Sequence, residues 1–219
     1  LHFQCRRRLR GTPGPALDVR MQLAADTILT TLWKAVVEPL PTAVRRAERW
    51  MVVPHGALAA VPFHALSNGT TCLIDHMELS TAPSAAVAIR LAQTADRGKG
   101  TLVATVGDEL APSIQAEGDA VANFHPHTTR LDADDATADR VASLLGTVRI
   151  AHLACHGRFL PGSPHSSGLR LADRWLTVRD IHELHATPPI VILSGCETGL
   201  HPKDGANELL GIAHGFAMG

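Results

Sequence analysis

The chain reads as an α/β domain built on a mostly parallel sheet with helices on both faces, and three observations predict it. Apolar runs at 101–106, 148–154 and 189–193 have the length of strands buried on both sides. Amphipathic segments at 114–123 and 137–145 fall between them, as strand–helix–strand crossovers require. Two of the runs end in a reactive side chain beside glycine, and ligands of parallel sheets bind outside the carboxyl ends of the strands.

The elements follow in order. Leu23, Thr27, Thr30, Trp33 and Val37 recur at three- and four-residue steps, predicting a helix over 20–38 that Pro39 and Pro41 end. Trp50 to Pro54 is a short apolar strand, and 61–66 and 73–76 read as short extended pieces around the turn Ser67-Asn68-Gly69. Pro83 keeps Ala82 out of the helical region and Ser84 can cap a helix reaching Ala95.

After the strand at 101–106, the helix at 114–123 is expected to turn Ala116, Ala120 and Val121 to one side. A shorter strand covers 127–131, and the helix at 137–145 points Val141, Leu144 and Leu145 inward. Beyond the strand at 148–154, residues 168–176 look like a hairpin and Thr177 caps a helix to about residue 185. The strand at 189–193 is read as buried, and a last helix is expected from about residue 205. Three stretches follow: a linker or fragment end at 1–19, an N-terminal part at 20–97, and a core at 98–219 that is expected to continue beyond its C-terminal end.

Composition narrows the function classes. With 219 residues, 45% hydrophobic, there is enough to bury one substantial core. A charged fraction of 19% and a formal net charge of −1 provide no field for nucleic acid or an anionic membrane. The cluster Arg6-Arg7-Arg8-Leu9-Arg10 reads as solvated linker. Cys5, Cys72, Cys155 and Cys196 form no CxxC pair, so neither a disulfide framework nor a zinc ribbon is indicated. No apolar run approaches the roughly 20 residues a membrane helix needs, and no signal-peptide core is present, which leads to the expectation of a cytoplasmic protein.

The chemistry is expected where two strands give way to loops. One runs into Ala154-Cys155-His156-Gly157, the other into Ser194-Gly195-Cys196-Glu197-Thr198-Gly199. In a parallel sheet both ends lie on one edge, so the thiol of Cys196 and the imidazole of His156 can meet across a cleft. A thiol with its ordinary pKa near ~8.5 is only slightly ionised at neutral pH, and an imidazole and a helix N-terminus both favour the thiolate. The imidazole then returns a proton to a leaving amine. The N–H groups of Gly157 and Cys196 are the candidate donors to an oxyanion.

These motifs resemble the His and Cys motifs of CHAT domains, a family of caspase-like cysteine peptidases related to separase. Further stretches are similar to that family: Val52-Val53-Pro54-His55-Gly56 leading to Val61-Pro62-Phe63-His64-Ala65-Leu66, the helix start Pro83-Ser84, and Leu169 to Thr177 followed by Asp180-Ile181. The resemblance covers roughly residues 20–219. It implies a caspase-like three-layer α/β/α sandwich and a Cys196–His156 dyad that cleaves protein substrates through an acyl-enzyme. It also implies fusion to TPR or other repeat domains in the full-length protein, and no cofactor. The alternative that it leaves open is a latent or non-catalytic signalling module. This chain has Arg174 where the family usually has Gly, and Ser194-Gly195 where many relatives have Ser-Ala. The Gln-Ala-Cys-x-Gly signature of caspases proper is absent, so cleavage after aspartate is not carried over.

Other reactive residues have plainer readings. Strand alternation turns Cys155 away from His156, making it a buried small hydrophobe. His152, on the His156 face, is read as a hydrogen-bonded structural residue. His152, Cys155 and His156 with His182 and His185 could be taken for metal ligands, but His152 and Cys155 face opposite sides of a strand, and no metal is expected. Asp173, Asp180, Glu197 and Asp204 lie near the expected cleft. They are read as helix caps, with the substrate-binding residues and the preference at the cleavage site left unknown.

Overall fold

The computed structural model describes residues 15–93, 97–109, 111–160, 162–195 and 209–218. Two compact units divide the chain, one of 1–54 with 60–82, the other of 55–59 with 83–219.

In the first unit, helix α1 (Pro15–Val36) starts five residues before the expected position. Leu29, Leu32, Trp33, Val36 and Val37 pack on Phe63, Leu66 and Leu73. Leu23 and Thr27, assigned to the inner stripe from spacing, lie on the outer face instead: Leu23 is exposed and the Thr27 hydroxyl donates back to the Leu23 carbonyl at 2.8 Å. After the single turn α2 (Thr42–Arg45) come β1 (Arg49–Val52) and β2 (Glu78–Thr81), a parallel pair in register from Arg49 opposite Glu78 to Val52 opposite Thr81. The pieces expected to be extended are 3-10 turns, Phe63–Ala65 and Leu73–Asp75. Each buries one large apolar side chain, Phe63 or Leu73, which a single turn achieves as well as a strand. The Ser67-Asn68-Gly69 turn forms, with Asn68 Oδ1 accepting from the N–H groups of Thr70 and Thr71 and a bridge between Ser67 and Cys72.

The second unit holds the central sheet. It opens with α3 (Ala85–Ala92), capped as expected by Ser84, whose hydroxyl accepts from the Val87 N–H at 3.2 Å. There follow β3 (Thr101–Val106), α4 (Ser113–Phe124), β4 (Thr128–Asp132), α5 (Ala138–Leu145) and β5 (Ile150–Cys155). Next are the short strands β6 (Gly157–Arg158), β7 (Gly168–Arg170) and β8 (Trp175–Thr177). The unit ends with α6 (Val178–His182), β9 (Ile190–Ser194) and α7 (Leu209–Met218). The described central strands run in the order β4-β3-β5-β9, all parallel. The strands β6, β7 and β8 form a separate antiparallel sheet that contains the expected hairpin.

Alternation along the inner strands puts helices on both sides, the α/β architecture expected. Leu102, Ala104, Ala151, Leu153 and Cys155 join one buried cluster with Val141 and Leu145 of α5, Val178 and Ile181 of α6, and Ile212 and Phe216 of α7. Thr105 and His152, on the opposite face, meet α4: a Cβ added at Gly118 would stand 2.4 Å from Thr105 Cγ2, and Glu117 reaches His152. Glycine at 118 is what lets α4 lie this close to the sheet. The inner face of α4 is therefore Ile114, Glu117, Gly118 and Val121; Ala116 and Ala120 are exposed, contrary to the spacing argument. Small residues are poor markers of a buried face, because an alanine pays little to sit in water.

Strand β9 is half exposed, not fully buried. Ile190 and Ile192 are 41% and 42% exposed, since β9 stands at the end of the described strand order. Among the described residues no helix is long and apolar enough to cross a membrane.

Candidate active site

Three strand ends meet at the carboxyl edge of the central sheet. Val106 of β3 pairs with Cys155 of β5, and Ala154 of β5 pairs with Ser194 of β9. Asp108 follows β3 by two residues, His156 follows β5 by one, and Gly195 follows β9 by one. Beside them opens a cleft of about 420 Å³, lined by Ala111–Ile114, Glu117, Cys155, His156, Ser194 and Gly195.

His156 lies in this cleft with its side chain 27% exposed. Its Nε2 is 3.0 Å from Asp108 Oδ1. Asp108 was not among the candidates read from sequence; the signal for it was its place just past a strand end on the same sheet edge.

Gly157 is buried in β6 opposite Leu169. The N–H of Arg170 donates to the His156 carbonyl at 2.7 Å, which makes that pair a hydrogen-bonded one. Antiparallel pairs alternate, so the Gly157–Leu169 pair is a non-hydrogen-bonded one and the Gly157 N–H points away from β7. On that other side runs Gly195, where an added Cβ would stand 3.5 Å from the Gly157 nitrogen.

Gly195 itself has no room for a side chain. A Cβ there would come within 2.5 Å of the Cys155 carbonyl oxygen, a backbone atom that cannot swing aside. Glycine at 195 is thus what lets the ends of β5 and β9 approach this closely. Cys196, the candidate nucleophile and second oxyanion donor, lies outside the described residues, as do Glu197, Asp204 and the start of the last expected helix.

The neighbouring groups have structural work. His152 is buried, with Nε2 2.9 Å from Glu117 Oε1, while its Nδ1 has no hydrogen-bond partner among the described residues. The Ser194 hydroxyl donates to Glu117 Oε2 at 2.9 Å. One carboxylate from α4 therefore links β5 to the end of β9 across the sheet face. Burial pushes the Cys155 thiol up to about 12, so at neutral pH it is a neutral, packed group rather than a nucleophile.

The two described acidic residues read as caps act as caps. Asp180 Oδ2 accepts from the Thr177 N–H at 2.7 Å and Thr177 Oγ1 accepts from the Asp180 N–H at 3.2 Å, a reciprocal box at the start of α6. Asp173 Oδ1 accepts from the N–H of Ala138, the first residue of α5, at 2.8 Å. Arg174 pairs with Asp139 at 2.7 Å and Asp180 at 3.1 Å, tying the hairpin to α5 and α6. Among the described residues there is no group of three or more His, Cys, Asp or Glu side chains arranged to hold a metal ion.

The CHAT domain family model matches residues 26–218, nearly the whole described chain. No curated protein matches the chain.

Proposed function

The chain belongs to the CHAT domain family, a caspase-like, peptidase-related group, and from that premise we propose that it is a cysteine endopeptidase. Cys196 is the nucleophile and His156 its acid–base partner. The thiolate attacks the carbonyl carbon of a scissile peptide bond, and the carbonyl oxygen takes up negative charge. The N–H groups of Gly157 and Cys196 donate to that oxygen; losing one such donor typically costs ~10²–10³ in rate. His156 gives its proton to the departing amine nitrogen as the carbon–nitrogen bond breaks, leaving a thioester on Cys196. The same imidazole then takes a proton from water, which hydrolyses the thioester and frees the thiol.

The observation that carries this reading is the convergence of strand ends. His156 stands in a cleft, two residues past Ala154 of β5, and Ala154 pairs with Ser194, which precedes Cys196 by the same two residues. The direction of the Gly157 N–H, away from β7 and beside Gly195, supports its role as oxyanion donor. A thiol-directed, peptide-based covalent probe tests the proposal. Labelling is expected at Cys196, lost in Cys196→Ser and in His156→Ala. Labelling of Cys196 that is indifferent to His156 overturns it and favours a latent interaction module. We further propose a protein substrate and a cytoplasmic setting; cleavage profiling with a peptide library reads the preference at the scissile bond.

A further inference from the structure

We propose that Asp108 is the positioning residue of His156: its carboxylate accepts a hydrogen bond from Nε2–H and reserves Nδ1 for the nucleophile and the leaving amine. This deepens the peptidase reading above and rests on it. The contact is direct, with Asp108 Oδ1 3.0 Å from His156 Nε2. It is also held by the sheet. Asp108 is two residues past Val106, and Val106 is paired in parallel with Cys155, the residue before His156. The carboxylate that lines the cleft, Glu117, is engaged elsewhere, with one oxygen on His152 and the other on Ser194.

The chemistry follows from donor and acceptor counts. A neutral imidazole has one N–H, and an ionised carboxylate can only accept. Facing Asp108, the ring therefore carries its hydrogen on Nε2 and leaves the Nδ1 lone pair bare. That is the tautomer that can take the proton of a thiol. When it does, the resulting imidazolium lies against a negative charge, which stabilises the thiolate–imidazolium pair. An asparagine at 108 has nearly the same shape but can donate from its amide nitrogen to a bare Nε2. It then stabilises the opposite tautomer, in which Nδ1 already carries a hydrogen and cannot accept one. The serine-protease triad, a worked example of the same logic on another fold, loses most of its rate through that exchange of tautomers.

The test combines a spectroscopic and a kinetic readout on the full chain. With ¹⁵N-labelled histidine, the neutral His156 of the wild type is expected as the Nε2–H form, and Asp108→Asn is expected to shift it toward Nδ1–H. In peptide hydrolysis, Asp108→Asn and Asp108→Ala are expected to lower kcat by about 10²-fold with KM little changed, the order of one acid–base contribution. Asp108→Glu is expected to recover part of that loss. Iodoacetamide alkylation of Cys196 in wild type and His156→Ala judges the peptidase reading separately: alkylation that ignores His156 overturns that reading and the role of Asp108 with it. Alkylation that depends on His156, with the tautomer and kcat of Asp108→Asn unchanged, overturns the role of Asp108 alone.

Discussion

Cys155 carries the same functional group as the proposed nucleophile Cys196, and its own surroundings disqualify it from that role. The Cys155 thiol is sealed in the core and pushed up to about 12 by burial, so it offers almost no thiolate at neutral pH. Cys155→Ala is expected to leave probe labelling of Cys196 intact, and mass spectrometry of the wild type is expected to find Cys155 alkylated only under denaturing conditions. Gly195 is the opposite case, a residue whose lack of a side chain is the point. Gly195→Ala places a carbon 2.5 Å from the Cys155 carbonyl oxygen, so the two strand ends must separate. The expected cost is about 1–3 kcal/mol in urea denaturation, the range of an overpacked site, with turnover reduced as well.

The element most exposed to a simple test is α6. Thr177 and Asp180 satisfy each other's backbone N–H groups at its start, and Thr177→Ala is expected to cost about 1 kcal/mol in thermal or urea melts. Burial alone would raise the Asp180 carboxyl, but the hydrogen bonds from the Thr177 N–H and hydroxyl, with the Arg174 charge, outweigh it and hold the carboxyl below the ordinary carboxylate range. The sign follows from that direction. A depressed folded-state pKa stabilises the fold above the unfolded value of about 3.9, and the contribution fades as pH falls from there through the folded value. Asp180→Asn is therefore expected to lower stability at neutral pH and to flatten the acid side of the stability curve, as read by melts between neutral and acid pH.

Across the second unit, the sheet converts chain-distant residues into one edge. Its inner strands are sealed by helices on two faces, while β9 keeps Ile190 and Ile192 partly in water. Leu153→Ala, at the sealed centre, is expected to cost about 2–5 kcal/mol. Ile192→Ala removes a side chain that is 42% exposed and is expected to cost less; the two urea midpoints decide the comparison.

Local patterning was enough for much of this. Short apolar runs, Ser84 and Thr177 at helix starts, and a turn-forming Ser-Asn-Gly each act over a few bonds, so α3, α6, β3, β5 and the α/β class were legible in the residues alone. So was the placement of His156 at a strand end. What escaped the sequence depends on neighbours far along the chain. Whether Phe63 and Leu73 sit on strands or single turns is decided by the apolar surface they must meet. Which face of α4 turns inward is decided by the room that Gly118 leaves above Thr105. Asp108 and Glu117 are ordinary acids in the sequence, 48 and 35 residues from their histidines; parallel pairing of β3 with β5 brings Asp108 to His156, and the packing of α4 on the sheet brings Glu117 to His152. Residue type and spacing determined which groups could do chemistry; strand order and register decided which of them touch, because a parallel sheet sets together the ends of strands that the chain keeps far apart.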